Sequence, residues 1–179
     1  LAKQKPGALN YASAGISSSV HLATEMLKMR TGMELTHVPY KGGGPAAAAV
    51  LADECQMMVG TVASTISLIK AGRLRALATP APKRSAVLPD LPTLTEAGFP
   101  GSDTGLWFAL LAPGATPKAI TERIRNEVLK ALSQNDVQAS MATQGLVPVT
   151  STQDELATRI KAETSLWEKI VKAAKITGE

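Results

Sequence analysis

Three consecutive serines stand where a helix is predicted to begin, in the stretch NYASAGISSSVHLATEM: Ser17, Ser18 and Ser19. The first backbone N–H groups of a helix lack intrahelical acceptors, and the helix dipole adds partial positive charge there. With the serine hydroxyls, these groups can hold a carboxylate or a phosphate. The small residues that lead into this helix start are predicted to belong to the same anion-binding loop: Ser13, Ala14 and Gly15. A plain N-cap role for one serine is the alternative.

A second loop, PYKGGGPA, has the composition of an anion site. Tyr40 offers a hydroxyl and Lys41 a cation, and Gly42 opens a glycine run whose N–H groups can approach a ligand closely. A flexible turn would also account for these glycines. Gly60 and Thr61 follow the next predicted strand and complete the candidate ligand-binding set. The glycine order matches neither a P-loop nor a dinucleotide fingerprint.

We predict no catalytic residue, metal site or cofactor. The single cysteine, Cys55, is expected to be a buried thiol, and two histidines provide no metal-ligand spacing. His21 is interpreted as flanking a helix start and His37 as structural, and no acid/base pair converges on the loops. The leading interpretation is non-catalytic binding of a small anion; an α/β enzyme acting on an anionic metabolite is the alternative.

The loops belong to three successive strand–loop–helix units. Strands are predicted at residues 8–12, 34–38 and 56–59, and helices at 19–31, 46–52 and 62–71. Gly32 is expected to close the first helix, and Pro45 to occupy the first position of the second. This order predicts a parallel α/β sheet with right-handed crossovers, whose ligand lies at the carboxyl ends of the strands. Residues 6–72 would form one complete lobe.

Residues 73–179 are predicted to form part of a second lobe. Strands are expected at 74–79, 104–111 and 146–149, and helices at 93–97, after an N-cap at Thr116, and at 136–143. Thr152 and Glu155 have capping-box spacing ahead of a last helix. Its buried stripe is predicted to contain Leu156, Ile160, Trp167, Ile170, Val171 and Ala174.

Composition excludes several classes of partner. The 179-residue chain has a net charge of +4, and its 19 lysines and arginines are scattered rather than gathered into a stripe. Only 3% of residues are aromatic, too few for a base-stacking surface. We therefore expect no nucleic-acid partner. No apolar run approaches the roughly 20 residues that a membrane-spanning helix needs.

At these same motifs the sequence resembles the solute-binding proteins of tripartite tricarboxylate transporters, the Bug or TctC-like family. The resemblance runs through LNYASAG with HLATEM, THVPYKGGGPA, IKAGRLRALA, LPDLPTLTEAGFPG and WFALLAPGATP, and covers essentially the whole chain. It implies a two-lobed periplasmic-binding-protein fold of type II-like architecture. It also implies a small carboxylate ligand, membrane permease subunits as partners and a periplasmic location. Ser13, Gly15, Ser17, Ser18, Tyr40, Lys41 and Gly42 would face the ligand.

The sequence differs from the family pattern at two points, and the second leads to further expectations. Gly60 stands where the family usually has an acidic residue at the end of the third strand. Family members also begin with a signal sequence and an N-terminal half-lobe, whose counterparts are expected to be missing from this sequence. The incomplete lobe then predicts homodimerisation through its uncovered surface. A truncated fragment without tight ligand binding is the remaining alternative.

Overall fold

The computed structural model describes residues 1–177 as a parallel three-stranded sheet with six helices. Its elements are β1 (Asn10–Ser13), α1 (Ser19–Thr31), β2 (Thr36–Pro39), α2 (Gly43–Leu51), β3 (Met57–Met58), α3 (Val62–Lys70), α4 (Lys118–Leu132), α5 (Asn135–Thr143) and α6 (Gln153–Ala173). β1 is central and pairs in parallel with both other strands, in the order β2-β1-β3. The three predicted strand–loop–helix units and the α/β fold class are confirmed.

The central strand is buried on both faces, as in sheets covered by helices on each side. Tyr11 and Ala12 are fully buried and, as strand neighbours, point to opposite faces. Tyr11 lies under α1, where its hydroxyl donates to Glu25. Ala12 packs with Ala46 of α2 and with Cys55, which is the buried thiol expected. The sheet thus separates α1 from α2.

Among the first three helices, the start of α2 differs most from the prediction. α1 begins after Ser18, whose backbone is extended, and ends at Gly32 in the left-handed conformation with φ 67°, as predicted. α2 begins at Gly43 rather than at residue 46, so Pro45 is its third residue and not its first. Proline is tolerated there because the N–H groups of a first helical turn need no intrahelical acceptor.

The predicted strands beyond residue 72 are wrong. Within residues 1–177, segments 74–79, 104–111 and 146–149 join no sheet, and only isolated bridges occur, such as that of Thr79 with Thr93. A strand forms only when a run of partner backbone pairs with it, and in the described chain these segments make isolated bridges at most. Residues 93–97 form a single turn instead of a helix, closed by Ala97 N–H donating to Thr93 O.

The C-terminal helices form where predicted but are poorly covered. α4 is capped by Pro117 without a side-chain hydrogen bond, so Thr116 is not its N-cap. Its apolar repeat is exposed: Ile120, Ile124 and Val128. The capping box of Thr152 and Glu155 at the start of α6 is confirmed. Of the predicted α6 stripe only Ile170 is buried, where α6 returns to pack on α1.

Among residues 1–177, no helix combines the length and hydropathy of a membrane span.

Candidate functional site

Three helix starts meet at the carboxyl edge of the sheet and enclose a cleft of about 330 Å³. It lies where β1 and β3 end, which is the topological switch point of a β2-β1-β3 sheet and the place where α/β sheets bind ligands. The residues that line it come from the three strand-to-helix loops and the first turns of α1, α2 and α3: Ala14, Ser19, Val20, Gly43, Gly44, Met58, Val59, Gly60, Thr61, Ala63 and Ser64.

The cleft presents backbone N–H groups rather than charged side chains. Within residues 1–177, the first-turn N–H groups of each helix have no hydrogen-bond acceptor in the chain: those of Ser19, Val20, Gly43, Gly44, Val62 and Ala63. None of the lining residues is charged. Three helix dipoles therefore direct partial positive charge into a small, uncharged space, an environment that favours an anion.

The loop before α1 is folded tightly against itself. Ser13 is fully buried, and its hydroxyl lies 2.6 Å from Nε2 of His37 and accepts a hydrogen bond from Gly15 N–H. Ser18 is the N-cap of α1, and its hydroxyl donates to Gly15 O at 2.8 Å. Ser17 is exposed and left-handed, with φ 59°. Ser13 and Ser18 thus shape the loop, whereas Ala14 and Ser19 line the cleft.

The three site residues predicted in the second loop shape or flank the site and do not line the cleft. Gly42 adopts φ 112° and donates its N–H to Ala14 O and Tyr40 O, tying this loop to the first. Tyr40 turns away from the cleft, and its hydroxyl donates to Glu54 and contacts the Cys55 thiol. The contact with Cys55, partial burial and Glu54 raise the pKa of Tyr40 to about 12. Lys41 is exposed and outside the lining.

The third loop brings α3 close to β3. Thr61 is the N-cap of α3 and accepts from Ser64 N–H. A Cβ added to Gly60 would lie 2.6 Å from Cγ2 of Thr65, so glycine is required for this approach. An acidic side chain at position 60 would not fit without a shift of its neighbours.

Sequence reasoning missed several lining residues. It stopped at Gly42, whereas the cleft is lined by Gly43 and Gly44, and it omitted Val20, Met58, Val59, Ala63 and Ser64. Starting α2 at residue 43 would have identified both glycines as first-turn donors. Contacts from the first turns of α1 and α3 depend on how the helices converge, which no local pattern reveals.

A polar cluster lies beneath the first loop, between β1, β2 and α1. The His21 and His37 rings stack with centroids 3.9 Å apart, and the His37 ring stacks on Tyr11 at 4.8 Å. Glu25 accepts from Tyr11 and from Lys28. Burial lowers the pKa of His21, and burial together with the neighbouring His21 lowers that of His37 to about 4. In the described chain, no three histidine, cysteine or carboxylate side chains are grouped to hold a metal.

Sequence comparison places these features among known proteins. The model of the tripartite tricarboxylate transporter family receptor matches residues 1–176. A UPF0065 protein from the tcbD-tcbE intergenic region of Pseudomonas sp. (strain P51) is 37% identical over 95% of this chain and 51% of its own. BugT of Bordetella pertussis is 33% identical over 95% of this chain and 52% of its own. The chain spans about half the length of these relatives.

Solved structures share the fold. Rpa4515 of R. palustris, solved with adipate, superposes with a TM-score of 0.88 at 33% identity, over 98% of this chain and 59% of its own. MatC of Rhodopseudomonas palustris, solved with bound malate, has a TM-score of 0.79 at 34% identity, over 92% of this chain and 57% of its own. The periplasmic binding protein BugD has a TM-score of 0.82 at 29% identity, over 99% and 60%.

Proposed function

The chain belongs to the tripartite tricarboxylate transporter receptor family, and on that basis we propose that its cleft binds a small carboxylate for uptake. The family consists of periplasmic solute-binding proteins, which are receptors and not enzymes. The α/β enzyme considered from the sequence is therefore set aside. The observation that carries the proposal is the convergence of three helix starts, with unpaired N–H groups, on one cleft that has no charged side chain.

The proposed ligand is a dicarboxylate. Relatives of this fold are solved with adipate and with malate, both of which carry two carboxylates. In this chain one carboxylate would lie among the starts of α1, α2 and α3. There, backbone N–H groups would stabilise its negative charge by hydrogen bonding, without an ion pair to a charged side chain. Of the predicted ligand-binding residues, we propose direct contact for Ala14, Ser19, Gly60 and Thr61. Ser13, Gly15, Ser17, Ser18, Tyr40 and Gly42 would shape the site, and Lys41 would attract the anion from outside.

Delivery to membrane permease subunits, in the periplasm, is proposed as the physiological setting. The support is the family's role as a receptor for tripartite tricarboxylate transporters. We also propose that residues 6–72 form the ligand-binding lobe and residues 73–179 part of the other lobe. The cleft lies wholly within the first of these ranges.

Self-association through residues 73–179 is proposed as well. Leu106, Phe108 and Leu110 expose 48%, 76% and 69% of their surface, an arrangement that favours burial against a second copy. Light scattering across a concentration series should show a dimer that Phe108→Ser weakens. A chain that stays monomeric at high concentration would contradict this proposal.

Calorimetric titration tests the binding function. After unfolding and refolding to remove carried-over ligand, the chain would be titrated with adipate, with malate and with the neutral diamide of adipic acid. We expect saturable binding of a dicarboxylate and none of the diamide, which matches adipate in length but has no charge. Equal binding of adipate and diamide, or no binding of either acid up to millimolar concentration, would contradict the proposal.

A further inference from the structure

A hydrogen bond joins the loop before α1 to a buried histidine. Ser17 N–H donates to Nδ1 of His21 at 3.1 Å. Nδ1 accepts a hydrogen bond only when it carries no proton, so His21 must be a neutral imidazole with its proton on Nε2. Protonation would place a second N–H opposite the Ser17 N–H and break the contact.

Ser17 is the residue of the loop that most needs such a partner. Its φ of 59° is in the left-handed region, which a non-glycine residue adopts at a cost. It lies between Gly15, whose carbonyl oxygen accepts from the Ser18 hydroxyl, and Ser19, which lines the cleft. The bond to His21 therefore helps to hold the loop in the shape that presents the first turn of α1.

His37 supports the other end of the same loop. Its Nε2 lies 2.6 Å from the hydroxyl of Ser13, and that hydroxyl accepts from Gly15 N–H at 3.2 Å. Because the two imidazoles are stacked at 3.9 Å, the charge on one would lie directly against the other ring. The pair thus contacts the loop at both Ser13 and Ser17, although neither histidine lines the cleft.

Burial favours the neutral state of the pair, and the neighbouring charges act in both directions: Glu25 favours protonation, whereas Lys28 opposes it. From β1, Tyr11 stacks on His37, and its hydroxyl donates to Glu25 of α1. Lys28 of α1 forms a 2.7 Å ion pair with the same Glu25 oxygen, so this carboxylate is already shared by two donors. His21 itself is 5% exposed, which further disfavours a charge.

We propose that His21 and His37 are positioning residues of the ligand site, and that the contact between His21 and Ser17 holds the loop 13–19 only while His21 is unprotonated, so that carboxylate affinity falls as His21 takes up a proton in acid. This inference rests on the proposed binding function. It assigns the pair no contact with the ligand, and it predicts a dependence on pH beyond that of the ligand's own carboxyl groups.

Substitutions can test separately whether the loop needs the histidine as a hydrogen-bond acceptor and whether it responds to protonation of the histidine. In His21→Asn the side-chain oxygen can take the place of Nδ1, and in His37→Gln the amide can take the place of Nε2; neither amide titrates. His21→Leu fills similar space without an acceptor. For each variant, the adipate affinity is divided by that of the wild type at the same pH. The ionisation of adipate affects both proteins equally, so it does not change this ratio.

We expect His21→Asn to match the wild type at pH 7.5, whereas His21→Leu loses about tenfold, the equivalent of about 1.4 kcal/mol. As the pH is lowered toward 4, the double variant His21→Asn/His37→Gln should come to bind more tightly than the wild type. A variant-to-wild-type ratio that does not change with pH would overturn the proposal.

A ligand-free measurement keeps this inference distinct from the proposed function. The amide resonance of Ser17, followed by NMR from pH 7.5 to pH 4, should shift with the same midpoint as the His21 ring, and should not shift in His21→Asn. This result would support the inference even if adipate did not bind. A Ser17 amide that is indifferent to His21 titration would refute it, whether or not adipate binds.

Discussion

Gly43 and Ser64 hold the starts of α2 and α3 in contact. A Cβ on Gly43 would lie 3.0 Å from Cβ and 3.1 Å from Oγ of Ser64, closer than side chains normally pack. Both residues line the cleft. The absence of a side chain at position 43 therefore sets the spacing between two of the three helix starts that we propose as carboxylate donors.

The first prediction concerns this spacing. Gly43→Ala should push α2 and α3 apart and weaken adipate binding by about tenfold, or about 1.4 kcal/mol. Ser64→Gly removes both atoms that the new Cβ would meet, so the double variant Gly43→Ala/Ser64→Gly should recover part of the loss. Calorimetry on the four members of this cycle measures the coupling directly. Strictly additive losses would show that the spacing does not matter.

A second prediction addresses packing beneath the cleft. Gly60→Ala places a Cβ 2.6 Å from Cγ2 of Thr65, and we expect it to lower the free energy of unfolding by about 1–3 kcal/mol. Thr65→Ser removes Cγ2 but keeps the hydroxyl that donates to Thr61 O. Urea unfolding should therefore show Gly60→Ala/Thr65→Ser to be more stable than Gly60→Ala alone. The opposite order would mean that the clash is relieved elsewhere.

A substitution of Lys41 tests whether this lysine attracts the ligand from a distance or contacts it directly. Its side chain is exposed and outside the cleft lining, so Lys41→Met should weaken adipate binding less than about fivefold, the scale of exposed charge pairs. The effect should shrink further between about 10 mM and 150 mM salt, as the Debye length falls from about 30 Å to about 8 Å. A large loss that salt does not reduce would instead place Lys41 against the ligand.

The histidine pair also predicts a dependence of stability on pH. A histidine whose pKa is lowered by folding resists protonation in the native state, so the unfolded chain binds more protons below about pH 6.5. With the pKa of His37 near 4, stability should be fully present above about pH 6.5 and fall as the pH drops toward 4. Thermal unfolding of His21→Asn/His37→Gln should lack this decline. The lowered pKa values of Glu96 and Glu155 remove stability only as the pH falls below about 4.5, the ordinary value for a glutamate, so the decline above that pH is the part that tests the histidines.

The sequence predicted the first 72 residues better than the rest, for a physical reason. Glycine and serine caps, apolar runs and loop composition act locally, so α1, its Gly32 cap and the parallel direction of the strands could be inferred. Strand formation at 104–111 depends on a pairing partner that local pattern cannot supply. The cleft lies at the edge of the sheet where the sequence predicts a site, but the division between lining and shaping residues could not be predicted. Whether Tyr40 turns toward the cleft or toward Glu54 is decided by packing.

The most direct test of the carboxylate site is the adipate affinity of Ser19→Asp compared with that of Ser19→Asn. Ser19 is exposed in the first turn of α1 and lines the cleft, and the two substituted side chains are nearly identical in shape. An aspartate there should stabilise the helix by about 0.3–1 kcal/mol through the dipole. The same charge should repel a carboxylate ligand. Our account predicts that Ser19→Asp binds adipate at least about tenfold more weakly than Ser19→Asn while being equally or more stable. Equal affinities in the two variants would contradict a carboxylate held at this helix start.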